Sequence, residues 1–191
     1  IEPIPVEFRT SHQMVNGQYK LPTAHRKQIK YKRERHPISS ADVGGHTQYK
    51  NLWIEDMFGR QVNIVFFMVD HRVLTHPNFR EEAVASLQYL VDNITGKDRT
   101  KAISRKARKN AKNGYKPDMF CFLINKMDAW WSPQAQYLWA HELQREHPIV
   151  YPFKQQLRDL RKAGVQAKVE AISAQHGLNV EKVMVNLIDA I

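Results

Sequence analysis

Short runs of consecutive apolar residues mark three segments of the chain as candidate buried strands. They are NIVFFMVD at 63–70, DMFCFLINKMD at 118–128 and, more weakly, QAKVEAISA at 166–174. Runs that stay apolar without alternating are typical of parallel strands covered on both faces. Two further strands are predicted upstream: the lysine-rich segment 27–34, with the character of a sheet edge, and HPISSAD at 36–42.

Apolar residues at helical spacing occupy four segments around these strands: 75–94, 132–147, 151–164 and 179–191. The second and third segments together are expected to form one or two helices. A proline near the start of the first helix, Gly164 at the end of the third and Asn179 as N-cap of the last provide boundary signals. Strands that alternate with helices predict an α/β fold, with a mainly parallel central sheet flanked by helices. Ligands in such folds bind at the carboxyl ends of the strands.

We predict a single domain over residues 1–191, with an irregular N-terminal segment at 1–19. No window approaches the roughly 18 uninterrupted apolar residues of a membrane span. Cys121 is the only cysteine, so an internal disulfide is excluded and a reducing, cytoplasmic location is expected. We predict that this cysteine lies in the core.

The net charge of +10 is concentrated in two segments, 20–36 and 97–116, which together carry +14. The rest of the chain carries −4. The segment 97–116 lies between a predicted helix and a predicted strand, so we expect a basic surface insertion there. Such a segment either binds an anionic partner, for example a nucleic acid or an acidic surface, or is simply solvated.

Polar motifs follow three of the predicted strands, where side chains converge at one edge of a parallel sheet. One of them, Asn125-Lys126-Met127-Asp128, has the chemistry of a guanine site. A carboxylate at Asp128 can accept hydrogen bonds from both the N1–H and the exocyclic amine of guanine, a donor pair that adenine lacks. Ser173-Ala174, after a later strand, offers a backbone N–H for the guanine carbonyl.

The third motif, Asp42-Val43-Gly44-Gly45-His46, suits the phosphate end of a nucleotide. Asp42 can hold Mg²⁺ through a water, since Mg²⁺ prefers oxygen ligands. The N–H of Gly45 can approach a γ-phosphate because no Cβ intervenes. His46 is then placed to orient an attacking water.

These motifs together resemble those of the Ras superfamily of small GTPases, and most of all its Arf/Sar branch. DVGGHTQYKNLW at 42–53 is similar to the D-[VL]-G-G-[QH]-x-x-x-x-x-x-W segment of that branch, NKMD at 125–128 to its base-specificity motif, and ISA at 172–174 to its last guanine-contacting motif. Pro22-Thr23 is similar to the Pro-Thr of the switch I loop, with 18 residues between Thr23 and Asp42.

The resemblance implies a three-layer P-loop NTPase (Ras-like) fold that binds GTP and GDP with Mg²⁺. Thr23 and Asp42 would ligate the metal. Gly45 would contact the γ-phosphate, and His46 would stand at the catalytic, water-orienting position. Guanine would be bound by four residues: Asn125, Lys126, Asp128 and Ala174. Effector or regulator proteins would bind near Thr23 and at 42–58.

The phosphate-binding loop of that superfamily, G-x-x-x-x-G-K-[ST], does not occur in the 191 residues. Two hypotheses follow. Either strand and loop precede Ile1, and the chain is a GTP-hydrolysing switch, or the domain is a degenerate relative that acts as a non-catalytic interaction module. A third reading is a nucleic-acid or ribosome-associated factor in which 97–116 is the functional part.

Overall fold

The fold was determined from a computed structural model. It describes the backbone of residues 6–8, 14–15, 18–19, 36–38, 50–97 and 103–188, and the side chains of 50–97 and 103–186. Contacts divide the chain into two compact units, which are described separately: residues 1–42 with 181–191, and residues 43–180. The prediction of a single domain stays a prediction.

The first unit contains short antiparallel strand pairs. Strand β1 (Val6–Phe8) pairs with β4 (His36–Ile38), and β2 (Met14–Val15) pairs with β3 (Gln18–Tyr19). Most of helix α7 (Val180–Ile188) also belongs to this unit. The predicted strand at 27–34 lies outside the described residues, as does 39–42 of the predicted strand 36–42.

A three-stranded parallel sheet forms the centre of the second unit. Its strands are β5 (Ile64–Val69), β6 (Met119–Ile124) and β7 (Gln166–Ala171), in the spatial order β5-β6-β7. All three lie within the segments predicted from their apolar runs, and their parallel pairing is confirmed. The prediction that all three are covered on both faces is wrong for β5, where Phe66 and Met68 are 42% and 53% exposed. The central strand β6 is buried at every position, as a strand covered on both faces must be.

Six α-helices belong to the described part of the second unit. Their bounds are α1 (Lys50–Arg60), α2 (Arg72–Thr75), α3 (Pro77–Thr95), α4 (Arg105–Lys112), α5 (Pro133–Ala140) and α6 (Lys154–Lys162). Short 3-10 turns lie at Met127–Ala129, Gln144–Glu146 and Tyr151–Phe153. The coarse prediction of a mixed α/β fold is therefore confirmed. None of the helices within the described ranges is both long and apolar enough to cross a membrane.

The main core lies on the sheet face that carries Phe120, Phe122 and Val169. Helices α1, α3 and α6 contribute apolar side chains to the same cluster. On the other face Cys121 is fully buried, which confirms the predicted core position and raises the pKa of its thiol to about 12. Phe66, on β5, shares that face with Cys121 but is 42% exposed.

Helix α4 lies within the predicted basic insertion and packs along α1. The Ser104 hydroxyl caps it by accepting the Ala107 N–H at 3.2 Å. A Cβ built on Gly59 of α1 would lie 4.0 Å from the Ala107 Cβ, an ordinary van der Waals distance, so the two helices are in close contact at this point. The insertion therefore includes a helix that is anchored to its neighbour.

Candidate guanine-recognition site

The loops that follow β6 and β7 are joined by the Asn125 side chain. Its Oδ1 accepts the Lys126 N–H at 2.8 Å and the Ala174 N–H at 3.0 Å. The Met127 N–H adds a backbone bond to the Ile172 carbonyl at 2.9 Å. Asn125 and Ala174 are 49 residues apart in sequence. The two loops thus form one surface at the carboxyl edge of the sheet, where ligands bind in such folds.

Asp128 projects from this surface. It lies in the 3-10 turn after β6, and its side chain is 36% exposed. The nearby Ser173 hydroxyl, assisted by charge from His176, holds the pKa of this carboxyl below its usual value. His176 Nε2 lies 3.8 Å from Asp128 Oδ2. The group is therefore a carboxylate at neutral pH, able to accept hydrogen bonds from a ligand.

Ser173 lies beneath this edge of the sheet and is fully buried. Its backbone N–H donates to the Leu178 carbonyl at 3.0 Å. Its Oγ has no partner at hydrogen-bonding geometry among the described residues, so its effect on Asp128 is that of a neighbouring dipole. A buried hydroxyl without a full partner costs free energy.

Lys126 occupies a left-handed backbone conformation, with φ of 55°. Its Nζ lies 3.3 Å from Asp70 Oδ2, at the carboxyl end of β5. This contact ties the loop after β6 to the neighbouring strand on the other side. The lysine stem is thereby directed along the edge of the sheet, between the ends of β5 and β6.

Asp70 is a residue of this site that sequence reasoning missed. It is 8% exposed, and it accepts hydrogen bonds from the Arg72 backbone N–H at 2.9 Å and from Arg72 Nε at 2.9 and 3.1 Å. Burial by itself raises the pKa of this carboxyl, but the hydrogen bonds from Arg72 and Lys126 outweigh burial and lower it to about 2. The available signal was an acid directly after an apolar strand.

Replacing Asp70 with Asn should remove a pH-dependent part of the stability. The pKa of Asp70 is lower in the folded chain than its ordinary value of 3.8, so the stabilisation is complete above about pH 4 and is lost as the pH falls toward 2. The shift corresponds to about 2 kcal/mol. Urea unfolding at pH values between about 2 and 6 should show a smaller pH dependence for Asp70→Asn than for the parent. Equal slopes would contradict the ion-pair assignment.

Tryptophans support the loop from the protein side. Trp130 Nε1 donates to the Asn125 carbonyl at 3.2 Å, and its ring centre lies 5.4 Å from those of Trp131 and Trp139. His147, 6% exposed, packs 5.2 Å from the Trp130 ring, and burial lowers its pKa. The aromatic cluster fixes the backbone of Asn125, from which the side chain reaches Ala174.

The predicted phosphate-end residues cannot be placed beside this surface. Thr23, Asp42, Gly45 and His46 all lie outside the described residues. In the ranges whose side chains are described, no three His, Cys, Asp or Glu residues form a group that could hold a metal ion. The structure thus brings together Asn125, Lys126, Asp128 and Ser173-Ala174, and adds Asp70.

The site invites comparison with proteins of known function. No family model matches the chain, and no match was found among curated proteins or among solved structures.

Proposed function

We propose that this chain binds a guanine nucleotide at the carboxyl edge of β5-β6-β7 and acts as a Mg²⁺-dependent GTP-hydrolysing switch. One observation carries the proposal: Asn125 Oδ1 joins the two loops that bear Asp128 and Ala174, through N–H bonds of 2.8 and 3.0 Å. That link sets an exposed carboxylate next to backbone N–H groups, a combination that complements one edge of guanine.

Base discrimination would come from Asp128. Guanine presents two donors, N1–H and the 2-amino group, which a carboxylate can accept in parallel. Adenine presents an unprotonated N1 and no 2-amino group, so the same carboxylate would face a lone pair. The lowered pKa of Asp128 favours the ionised form that this role needs.

The guanine carbonyl oxygen would accept a hydrogen bond from the Ala174 N–H. In the structure this donor is already bonded to Asn125 Oδ1 at 3.0 Å. A bound base therefore either shares the donor in a three-centre bond or replaces Oδ1. Both arrangements change the environment of the Ala174 amide, which makes that amide a local reporter of base binding.

The phosphate end of the proposal depends on the sequence motifs alone. Thr23 and Asp42 would hold Mg²⁺, the Gly45 N–H would contact the γ-phosphate and His46 would orient the attacking water. Bound Mg²⁺ would neutralise charge on the phosphates. A complete Ras-like P-loop NTPase architecture is part of the same proposal, and the parallel order β5-β6-β7 with its motifs at successive strand ends supports it.

Titration of the isotope-labelled chain with GDP, inosine diphosphate and ADP tests base selection. The amide resonances of Lys126 and Ala174 should shift with GDP. ADP should bind at least about 100-fold more weakly, and inosine diphosphate about 10-fold more weakly because one charge-assisted hydrogen bond is lost. Millimolar ligand keeps the test valid even if the phosphates are gripped weakly.

Equal affinities for GDP and ADP, or amide shifts confined to other parts of the chain, would overturn the proposed site. Turnover is separable from binding. In the protein with its natural N-terminus, His46→Ala should retain GDP binding and lose GTP hydrolysis. Guanine-selective binding without hydrolysis by that same protein before substitution would favour the non-catalytic module over the switch.

A further inference from the structure

Helix α4 presents a row of cations on one face. Arg105, Arg108, Lys109 and Lys112 follow the spacing i, i+3, i+4, i+7, which places them within an arc of about 100° around the helix axis. Ala107, on the opposite side, is fully buried. All four cationic residues are exposed.

The helix is held in place by specific contacts with α1. The Ser104 N–H donates to Glu55 Oε2 at 2.6 Å, and Asn110 Nδ2 donates to the Phe58 carbonyl at 2.7 Å. These bonds lie near the two ends of the helix, so its rotation about its own axis is fixed. The cationic row is consequently a preformed surface with a defined direction.

The described residues offer these cations no acidic partner. None of the four forms a salt bridge with a carboxylate within the described ranges, although Arg108 Nε donates to the Ile103 carbonyl at 3.2 Å. Other surface cations are neutralised locally, as Lys97 is by Asp159 at 3.0 Å and Lys154 by Glu146 at 2.9 Å. Helix α4 thus carries four cations on one face without an acidic partner among the described residues.

This surface lies toward the edge of the sheet opposite the guanine-recognition site. Tyr115, three residues after α4, donates its hydroxyl to the Val62 carbonyl just before β5 begins. Lys116 Nζ donates to the Ala163 carbonyl at 3.0 Å, beyond the end of α6. Both contacts tie the end of α4 to the amino edge, whereas Asp128 follows the carboxyl end of β6. The two sites can therefore be tested independently.

We propose that the cationic face of α4 binds the phosphate backbone of a nucleic acid without reading its sequence. The row extends about 10 Å along the helix axis, enough to meet several phosphates of a strand or duplex. A membrane is disfavoured, because interfacial helices bury large apolar side chains in the lipid. The apolar side of α4, with Ile103 and Ala107 buried, is packed in the protein. Tyr115 is engaged with Val62, so no stacking platform is offered to bases.

Fluorescence anisotropy with labelled single-stranded RNA and duplex DNA of mixed sequence tests this proposal in the full chain. Between about 50 and 200 mM salt, affinity should fall roughly 100-fold if four phosphates are neutralised. The triple variant Arg105→Gln, Lys109→Gln, Lys112→Gln should flatten the slope of log affinity against log salt by about 3. Gln has a helix propensity close to that of Lys and Arg, and Arg108 keeps its structural bond.

A matched variant, Arg145→Gln, Arg158→Gln, Lys182→Gln, removes the same charge from exposed positions elsewhere and should leave the slope nearly unchanged. Equal losses of nucleic-acid affinity in both triple variants would overturn the proposal. So would an unchanged affinity when the three α4 cations are replaced. So would binding to phosphatidylserine vesicles in the absence of nucleic-acid binding. Arg105→Lys, which keeps the charge, should bind like the parent.

Discussion

Phe122→Ala should lower the free energy of unfolding by about 3–5 kcal/mol. Phe122 is fully buried at the centre of β6. Its ring centre lies 4.7 Å from that of Phe153 and 6.0 Å from that of Phe67. Truncation would leave a cavity between the sheet and the helical layer that these rigid rings cannot fill. Urea denaturation followed by circular dichroism measures the loss.

Phe66→Ala provides the matched control. It removes the same side chain from the adjacent strand, at a position 42% exposed. The expected loss is about 1 kcal/mol, since less apolar surface leaves water at this position and no enclosed cavity is created. Comparable losses in the two variants would show that the burial contrast between the strands is wrong.

Asp128→Asn should reverse the base preference of the proposed site. The amide would place an NH₂ donor where the carboxylate oxygen accepted. This donor would face the 2-amino group of guanine, which is also a donor, so that hydrogen bond is lost. Xanthine carries a carbonyl at that position and becomes the better ligand. GDP affinity should fall by about 100-fold or more, with a gain for xanthosine diphosphate. Competition titrations read at the Ala174 amide provide the measurement.

Folding and overall charge need separate controls in this experiment. Asp128 is a surface residue, so the unfolding midpoint of the variant should match that of the parent. Glu81→Gln removes one negative charge from an exposed position on α3 and should leave GDP affinity unchanged. An Asp128→Asn chain that still prefers guanine to xanthine would refute the role given to this carboxylate.

The two proposed sites use different physics. Guanine recognition would depend on short, directional hydrogen bonds and should respond little to salt. Binding of a phosphate backbone to α4 depends on released counterions and should respond steeply. Salt dependence therefore separates the two activities in one preparation, and either can fail without affecting the other.

The helices show where sequence patterns were sufficient and where they were not. Helix α3 was expected at 75–94 and occupies Pro77–Thr95, because a long amphipathic pattern and a proline at its start are local signals. Helix α4 was not expected as a helix. Its buried side consists largely of alanine, so the apolar periodicity is weak and only contact with α1 reveals the element.

Sequence patterns likewise predicted part of the candidate site and missed another part. The motifs at 125–128 and 173–174 were placed at one edge of the sheet in advance, and the Asn125–Ala174 hydrogen bond brings them together. Asp70 was missed because one of its partners, Lys126, lies far along the chain. The positions of Thr23, Asp42, Gly45 and His46 stay predictions.

The sequence alone determined the positions of the three strands, their parallel arrangement and the edge at which polar side chains collect. These follow from local hydrophobicity and from the rule that parallel strands share a carboxyl end. Only the tertiary structure decided that Asp70 holds Lys126, that Asn125 already engages the Ala174 N–H, and that α4 turns its cations outward. Such pairings join residues distant in sequence, and no local pattern encodes the distance between them.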